Sequence, residues 1–169
     1  MTLLMVYDHQ QRGPWHFVLL AIGCGLFLAA GLGGDIVVRG ILVASGSWMC
    51  LFAMCFQRLT VRDEGLHLAI GFGPLPLFQR RVAYAEIESV QRGRTSWLEG
   101  WGIHLSPGGG WTWNLWGFDC VDFYMDGRRK LRVGTDDAER LTQYVQARIG
   151  SPNGNAERHA LADATGETG

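Results

Sequence analysis

Two long apolar runs separated by one aspartate constrain this chain more than any other feature. The run PWHFVLLAIGCGLFLAAGLGG, residues 14–34, carries no formally charged side chain, and about twenty apolar residues is the length a bilayer core requires. After Asp35 comes IVVRGILVASGSWMCLFAMCF, apolar except for Arg39 and ending at Phe56. Each run is apolar around its whole circumference, unlike a surface helix of a water-soluble domain. Together they predict a two-span transmembrane hairpin over residues 14–56, turning near GLGGD. Arg39 lies near a helix end, from which its side chain can snorkel to the interface. Small residues recur four apart, Gly25 with Ala29, Ala29 with Gly33, and Gly40 with Ala44, a spacing that lets helices approach closely in lipid. These five are the expected span-packing residues. Packing of the same faces between copies would make a homo-oligomer.

A cleaved leader fits less well, because MTLLMVYDHQQRG is a weakly basic start and the second run would still need a membrane. A lipid-modified Cys24 fits poorly too, since the chain stays apolar well beyond it. Arg12 precedes the first run while Arg58 and Arg62 follow the second, and the turn between is nearly uncharged. That bias places both termini in the cytoplasm. Cys24, Cys50 and Cys55 fall in the apolar runs and Cys120 in an expected strand, none at metal-site spacing. A cytoplasmic β-domain would keep Cys120 reduced, and small apolar side chains are the reading that fits the four.

From Gln57 onward the composition changes. Residues 57–149 hold twelve basic and eleven acidic side chains, and the apolar period becomes two. RLTV, the acidic turn DEG and LHLAIGF predict a hairpin with Leu66, Leu68 and Ile70 on one face. After GPLP, LFQRRVAYAEIESVQ reads as one bent strand or two. WGIHLS, the turn PGGG and WTWNLW predict two more strands, with Trp101, Trp111 and Trp113 on the inward phase. CVDFYM points Val121, Phe123 and Met125 inward, and Asp126-Gly127 is a strong hairpin signal leading into RRKLRV. Then Leu141, Tyr144, Val145 and Ile149 form a helical stripe, preceded by a capping-box spacing of Asp136 with Glu139. The polar segment from residue 150 to 169 predicts disorder. Four stretches follow: a cytoplasmic segment over 1–13, the hairpin over 14–56, a β-domain with its helix over 57–149, and a tail over 150–169.

The segments LTVRDEGLHLAIGFG, AYAEIESV, GWGIHL, the tryptophan-rich strand and DGRRKLRVGTDDAERL, in that order, resemble the pleckstrin-homology (PH) superfold. More narrowly, the chain resembles bacterial PH-like membrane proteins with an N-terminal two-span helical hairpin, a family of uncharacterised function. The resemblance covers residues 57–149. It implies a membrane-anchored α+β fold: two transmembrane helices, then a bent antiparallel β-barrel or sandwich capped by one C-terminal α-helix. Phosphoinositide-reading PH domains carry basic residues around their first hairpin loop. Here that loop is Arg62-Asp63-Glu64-Gly65, short and acidic, so that function does not transfer.

Trp97 and Trp116 fall in loops or out of phase with the strands. With Arg128, Arg129, Lys130 and Arg132 they form the candidate partner-facing or membrane-facing surface, for a protein partner or for anionic lipid; the other reading of the basic residues pairs them across strands with Asp122, Asp126, Glu86 and Glu88. The net charge of −1 gives no reason to expect nucleic acid as a partner. His9, His16, His67, His104 and His159 are scattered, GFGPLP lacks the third glycine of a dinucleotide loop, and PGGGW lacks the lysine of a phosphate loop. No catalytic residue, metal or cofactor is therefore expected. The expected role is a non-catalytic interaction or accessory module at the inner membrane. The alternative is a binder of membrane lipid or of a small apolar ligand.

Overall fold

A computed structural model describes residues 6–74, 77–96, 100–106, 109–125 and 129–150, Arg129 by its backbone alone. The expected tail, Trp97, Arg128 and the Asp126-Gly127 turn lie outside these residues. The architecture is α+β: two N-terminal helices packed together, two β-sheets and one C-terminal helix.

A first strand, β1 (Asp8–Arg12), precedes the helices α1 (Trp15–Gly31) and α2 (Ile36–Cys55). Strands β2 (Arg58–Asp63), β3 (His67–Phe72) and β4 (Phe78–Ala83) complete a four-stranded antiparallel sheet in the order β1-β2-β3-β4. A short 3-10 turn, Tyr84–Glu86, divides the AYAEIESV stretch into two strands. The second sheet contains β5 (Ile87–Arg94), β6 (Gly102–Leu105), β7 (Trp111–Asn114), β8 (Asp119–Met125) and β9 (Arg129–Gly134), in the order β5-β8-β9-β7-β6. Helix α3 (Ala138–Ile149) packs chiefly on β5 and β8.

Alternation explains the core. Leu59, Val61, Leu68, Ile70 and Phe72 face inward from the first sheet, and Val121, Phe123, Met125, Leu131 and Val133 from the second. Leu141 and Val145 on α3 close the same cluster.

Several expectations need correction. Residues 8–12 are not a separate leading segment, because β1 pairs in register with β2, Asp8 opposite Arg62 and Arg12 opposite Arg58. The sheets are not wholly antiparallel: β7 lies parallel to β9. Leu66 falls in the β2–β3 turn and is exposed, and Trp111 is 44% exposed at the edge of the core rather than in it. The capping box does not form. Asp136 instead accepts from His9 Nε2 at 2.6 Å, and Thr135 Oγ1 accepts from the Asp137 N–H at 3.1 Å.

Among the described residues one helix, Ile36–Cys55, is long and apolar enough to cross a membrane; Trp15–Gly31 is apolar but 17 residues long. The first apolar run was expected to reach residue 34. The helix stops earlier because Gly33 and Gly34 turn the chain at φ +117° and +116°, a region that favours glycine. Asp35 then caps α2, its side chain accepting from the Val37 N–H at 3.0 Å.

The helices meet at different small residues from those expected. Gly23, Ala30, Gly46 and Ala53 are buried, and a Cβ on Gly46 would come within 3.1 Å of the Gly23 carbonyl. Gly25, Gly33 and Gly40 have open space where a Cβ would be, and Ala29 and Ala44 are exposed. The less exposed positions include Leu19, Gly23, Leu26 and Ala30 on α1, and Leu42, Gly46, Met49 and Ala53 on α2, with Cys50 set against Gly23 and Phe27 against Gly46. Both sets follow the 4-3-4 spacing of a left-handed helix pair. The four-residue pattern among Gly25, Ala29 and Gly33 marks the outward face.

Candidate membrane-interface site

Both helices join the β-domain at one end of the hairpin, and aromatic rings crowd that junction. Trp15 opens α1, Trp101 precedes β6, and Trp116 follows β7. Their ring centroids lie 5.2 Å apart for Trp15 and Trp101, 6.1 Å for Trp15 and Trp116, and 5.4 Å for Trp101 and Trp116, the last pair stacked. Sequence-distant residues meet here because β1 delivers the chain to the end of the second sheet. Gln11 Nε2 donates to the Trp116 carbonyl at 2.7 Å. Gly13 lies so close to Leu115 and Trp116 that an added Cβ would approach them to 3.0 and 3.2 Å. A side chain there would push Trp15 away from its partners.

The cluster borders an apolar cleft of about 270 Å³ lined by Trp15, Leu19, Phe56, Trp101, Gly102 and Leu115. None of those side chains titrates, so the cleft has no general acid, base or nucleophile. It suits apolar contact. Behind it, ring contacts run from α2 into the core: Trp48 to Phe52 (5.3 Å), Phe52 to Phe56 (6.2 Å), Phe56 to Phe72 (5.3 Å), and Phe72 to Trp113 (5.7 Å). The ring chain thus joins the end of α2 to the core at the junction.

Gly73 fixes the same junction. At φ +69° it passes beneath the end of α2, where a Cβ would stand 2.6 Å from the Cys55 carbonyl oxygen. Only glycine fits both the dihedral and the space.

The candidate surface residues are dispersed. Trp116 lies in the β7–β8 connection at the Cys120–Gly134 end of the second sheet, whereas Arg129 pairs with Met125 at the other end. Five residue steps separate those ends, about 17 Å of strand. Lys130 and Arg132 converge instead on Asp122, which is 5% exposed. Arg132 Nε donates to Oδ1 at 2.7 Å, Arg132 Nη2 to Oδ2 at 3.0 Å, and Lys130 Nζ approaches Oδ2 to 2.9 Å. Burial pushes the Asp122 carboxyl up, but the hydrogen bonds and charges of Arg132 and Lys130 outweigh it and hold the group below its ordinary value. These two cations are tied to the sheet.

A second buried carboxylate lies at the far end of the domain. Asp63 accepts from the Tyr84 hydroxyl at 3.0 Å, the Gly65 N–H at 2.9 Å, the Tyr144 hydroxyl, and Arg148 Nη2 at 3.3 Å. Burial raises its pKa; the bonds from Tyr144, Gly65 and Tyr84 and the Arg148 charge more than reverse that, leaving it below 3.8. The same carboxylate and burial raise Tyr84 and Tyr144. This network ties α3 to the β2–β3 turn. Among the described residues, no three His, Cys, Asp or Glu side chains converge as a metal site requires.

Compared with protein families, curated proteins and solved structures, the chain matches none.

Proposed function

We propose that this is an integral membrane protein of the bacterial inner membrane, in which a two-span hairpin holds a PH-like β-domain against the cytoplasmic face as a non-catalytic interaction module. The observation that carries the reading is the surface of the hairpin. Phe17, Leu28, Leu32, Ile36, Val37 and Ile41 are 60% to 90% exposed. Leaving such side chains in water forgoes about 1.5–3 kcal/mol each relative to burial. A lipid environment removes that penalty.

The tryptophan cluster at the junction supports the placement, because indole rings favour the membrane–water interface. At about 1.5 Å per residue α1 spans roughly 26 Å, near the thickness of a bilayer core, so modest thinning or snorkelling accommodates it. The order of strands followed by a packed terminal helix supports the PH-like reading, and the parallel β7–β9 pair is a departure from it. The exposed outer edges of β4 and β6, which have one strand neighbour each, offer places for a partner segment to add a strand.

Crosslinking of the tagged full chain in its native membrane tests the role. A protein recovered near stoichiometric yield supports the interaction module; recovery of the chain with itself and lipid alone removes it. The apolar cleft favours a second reading, binding of a membrane lipid or small apolar ligand. Under that reading Leu19→Trp, a larger side chain at a half-buried position lining the cleft, lowers the amount of co-purifying lipid.

A further inference from the structure

The outer face of the first sheet is graded in charge along its length. Strand register sets three rows across it. Asp8, Arg62, Ala69 and Arg81 form one row; Gln10, Thr60, Gly71 and Gln79 the next; Arg12 and Arg58 stand side by side in the last. The row farthest from the hairpin is neutralised, Arg62 pairing with Asp8 at 3.0 Å and Arg81 with Glu64 at 2.7 Å. The row beside the hairpin is not. Neither Arg12 nor Arg58 has a carboxylate within ion-pair distance among the described residues. Directly opposed like charges on neighbouring strands repel. The Arg58 Nε–H is also buried without a hydrogen-bond partner, which is a cost unless something accepts from it.

Beside Arg58 lies a hollow of about 190 Å³, lined also by Gln10, Thr60, Gly71 and Gln79, with Arg62 and Glu64 at its distal side; Arg12 stands opposite Arg58 but outside this lining. Gly71 has no side chain, and that keeps the floor open. Guanidinium, amide and hydroxyl donors therefore surround a space in which the one carboxylate, Glu64, is engaged by Arg81. That donor set matches a phosphate, which guanidinium groups bind through paired, charge-assisted hydrogen bonds.

Position selects the source of the phosphate. Arg12 lies three residues before α1 begins, and Arg58 three after α2 ends. If the hairpin crosses the bilayer, as proposed above, both stand at headgroup level, where an anionic surface attracts basic side chains. We propose that Arg58, with Gln10, Thr60 and Gln79, binds the phosphate of an anionic phospholipid headgroup, the facing Arg12 adding a second positive charge beside it. The site rests on the membrane reading but not on the identity of any protein partner.

The test uses the full chain in nanodiscs of phosphatidylcholine containing increasing phosphatidylglycerol, with annular lipid retention read by native mass spectrometry. The expected result is at least tenfold enrichment of phosphatidylglycerol on the wild type, lost in Arg12→Gln/Arg58→Gln. Arg92→Gln, an exposed charge on the other sheet, should keep it. Equal enrichment in the double variant and the wild type overturns the site. Displacement of the bound lipid by millimolar inorganic phosphate assigns the hollow to free phosphate and overturns the lipid source. Carbonate extraction separates the two levels. A chain that stays in the membrane pellet but shows no enrichment loses the headgroup site alone, whereas a chain washed off loses the anchoring beneath it.

Discussion

Replacing Asp63 by alanine should destabilise the β-domain by about 3–5 kcal/mol. The residue is 8% exposed, and four donors converge on its carboxylate. Without it the Tyr84 hydroxyl stays buried with no partner, a penalty of about 1–3 kcal/mol. Tyr144 and Arg148 are partly exposed and recover water, so each lost bond contributes only about 1 kcal/mol. The Gly65 N–H adds a turn bond of similar size. Arg148 keeps its bond to the Gly65 carbonyl, 2.7 Å long, and this limits the loss.

The assay is denaturant unfolding of the full chain in detergent, followed by tryptophan fluorescence at neutral pH and repeated at falling pH. The folded-state pKa of Asp63 lies below its ordinary value of 3.8. Its stabilisation is therefore complete above that ordinary value and disappears as pH falls through the lower, folded-state value. The gap between wild type and Asp63→Ala should accordingly be constant near neutrality and shrink in the acid range. Asp122 has a lowered value too, but it is present in both proteins and cancels in the difference. A gap under about 1 kcal/mol at pH 7, below what one orphaned buried hydroxyl should produce, would refute the reasoning. So would a gap that persists unchanged in acid.

Arg132→Met should cost about 3 kcal/mol, as expected for leaving a buried carboxylate without its principal partner, while the more exposed Lys130→Met costs about 1 kcal/mol or less; paired denaturation curves check the order. Gly73→Ala should lower stability by about 2 kcal/mol or more through dihedral strain and the clash with Cys55, read as a fall in melting temperature, and an unchanged melt would remove the tight junction. Gly23→Cys places a thiol against Cys50, since the Gly23 Cβ position is 2.9 Å from its sulfur; mild oxidation should consume both thiols, and Gly25→Cys, facing outward, should leave Cys50 free.

Strong periodicity made much of the fold legible. Val121, Phe123 and Met125, or Leu131 and Val133, alternate against polar neighbours so regularly that their inward orientation follows from the pleat. The stripe on α3 is equally plain. Strand β1 was hidden because DHQQR is polar on both faces; its pairing with β2 is a backbone ladder, Gln11 bonds the Trp116 carbonyl instead, and no hydrophobic alternation marks it. Trp111 obeys the inward phase yet lies near a sheet edge, where alternation no longer implies burial.

The site was less legible for a related reason. Trp15, Trp101 and Trp116 come from three segments, and their meeting depends on where β1 delivers the first helix. The opposition of Arg12 and Arg58 appears only when β1 is known to pair with β2. Between the helices, two small-residue spacings competed in one sequence. Only the packed pair shows that Gly23 and Gly46 face each other while Gly25 and Ala29 face out. Pairing of Lys130 and Arg132 with a carboxylate such as Asp122 was readable as an alternative, and the β8–β9 register is what singles out Asp122 as the partner of both.

The most direct test of membrane anchoring asks on which side each end of the hairpin lies. Leu32→Cys at the turn, 90% exposed, and Gln143→Cys on α3 would each be treated in intact cells with a membrane-impermeant maleimide, the unmodified chain serving as the blank. The account predicts labelling at residue 32 from outside, and at residue 143 only after the cells are permeabilised. Labelling of residue 143 from outside, or protection of residue 32 until permeabilisation, would contradict it.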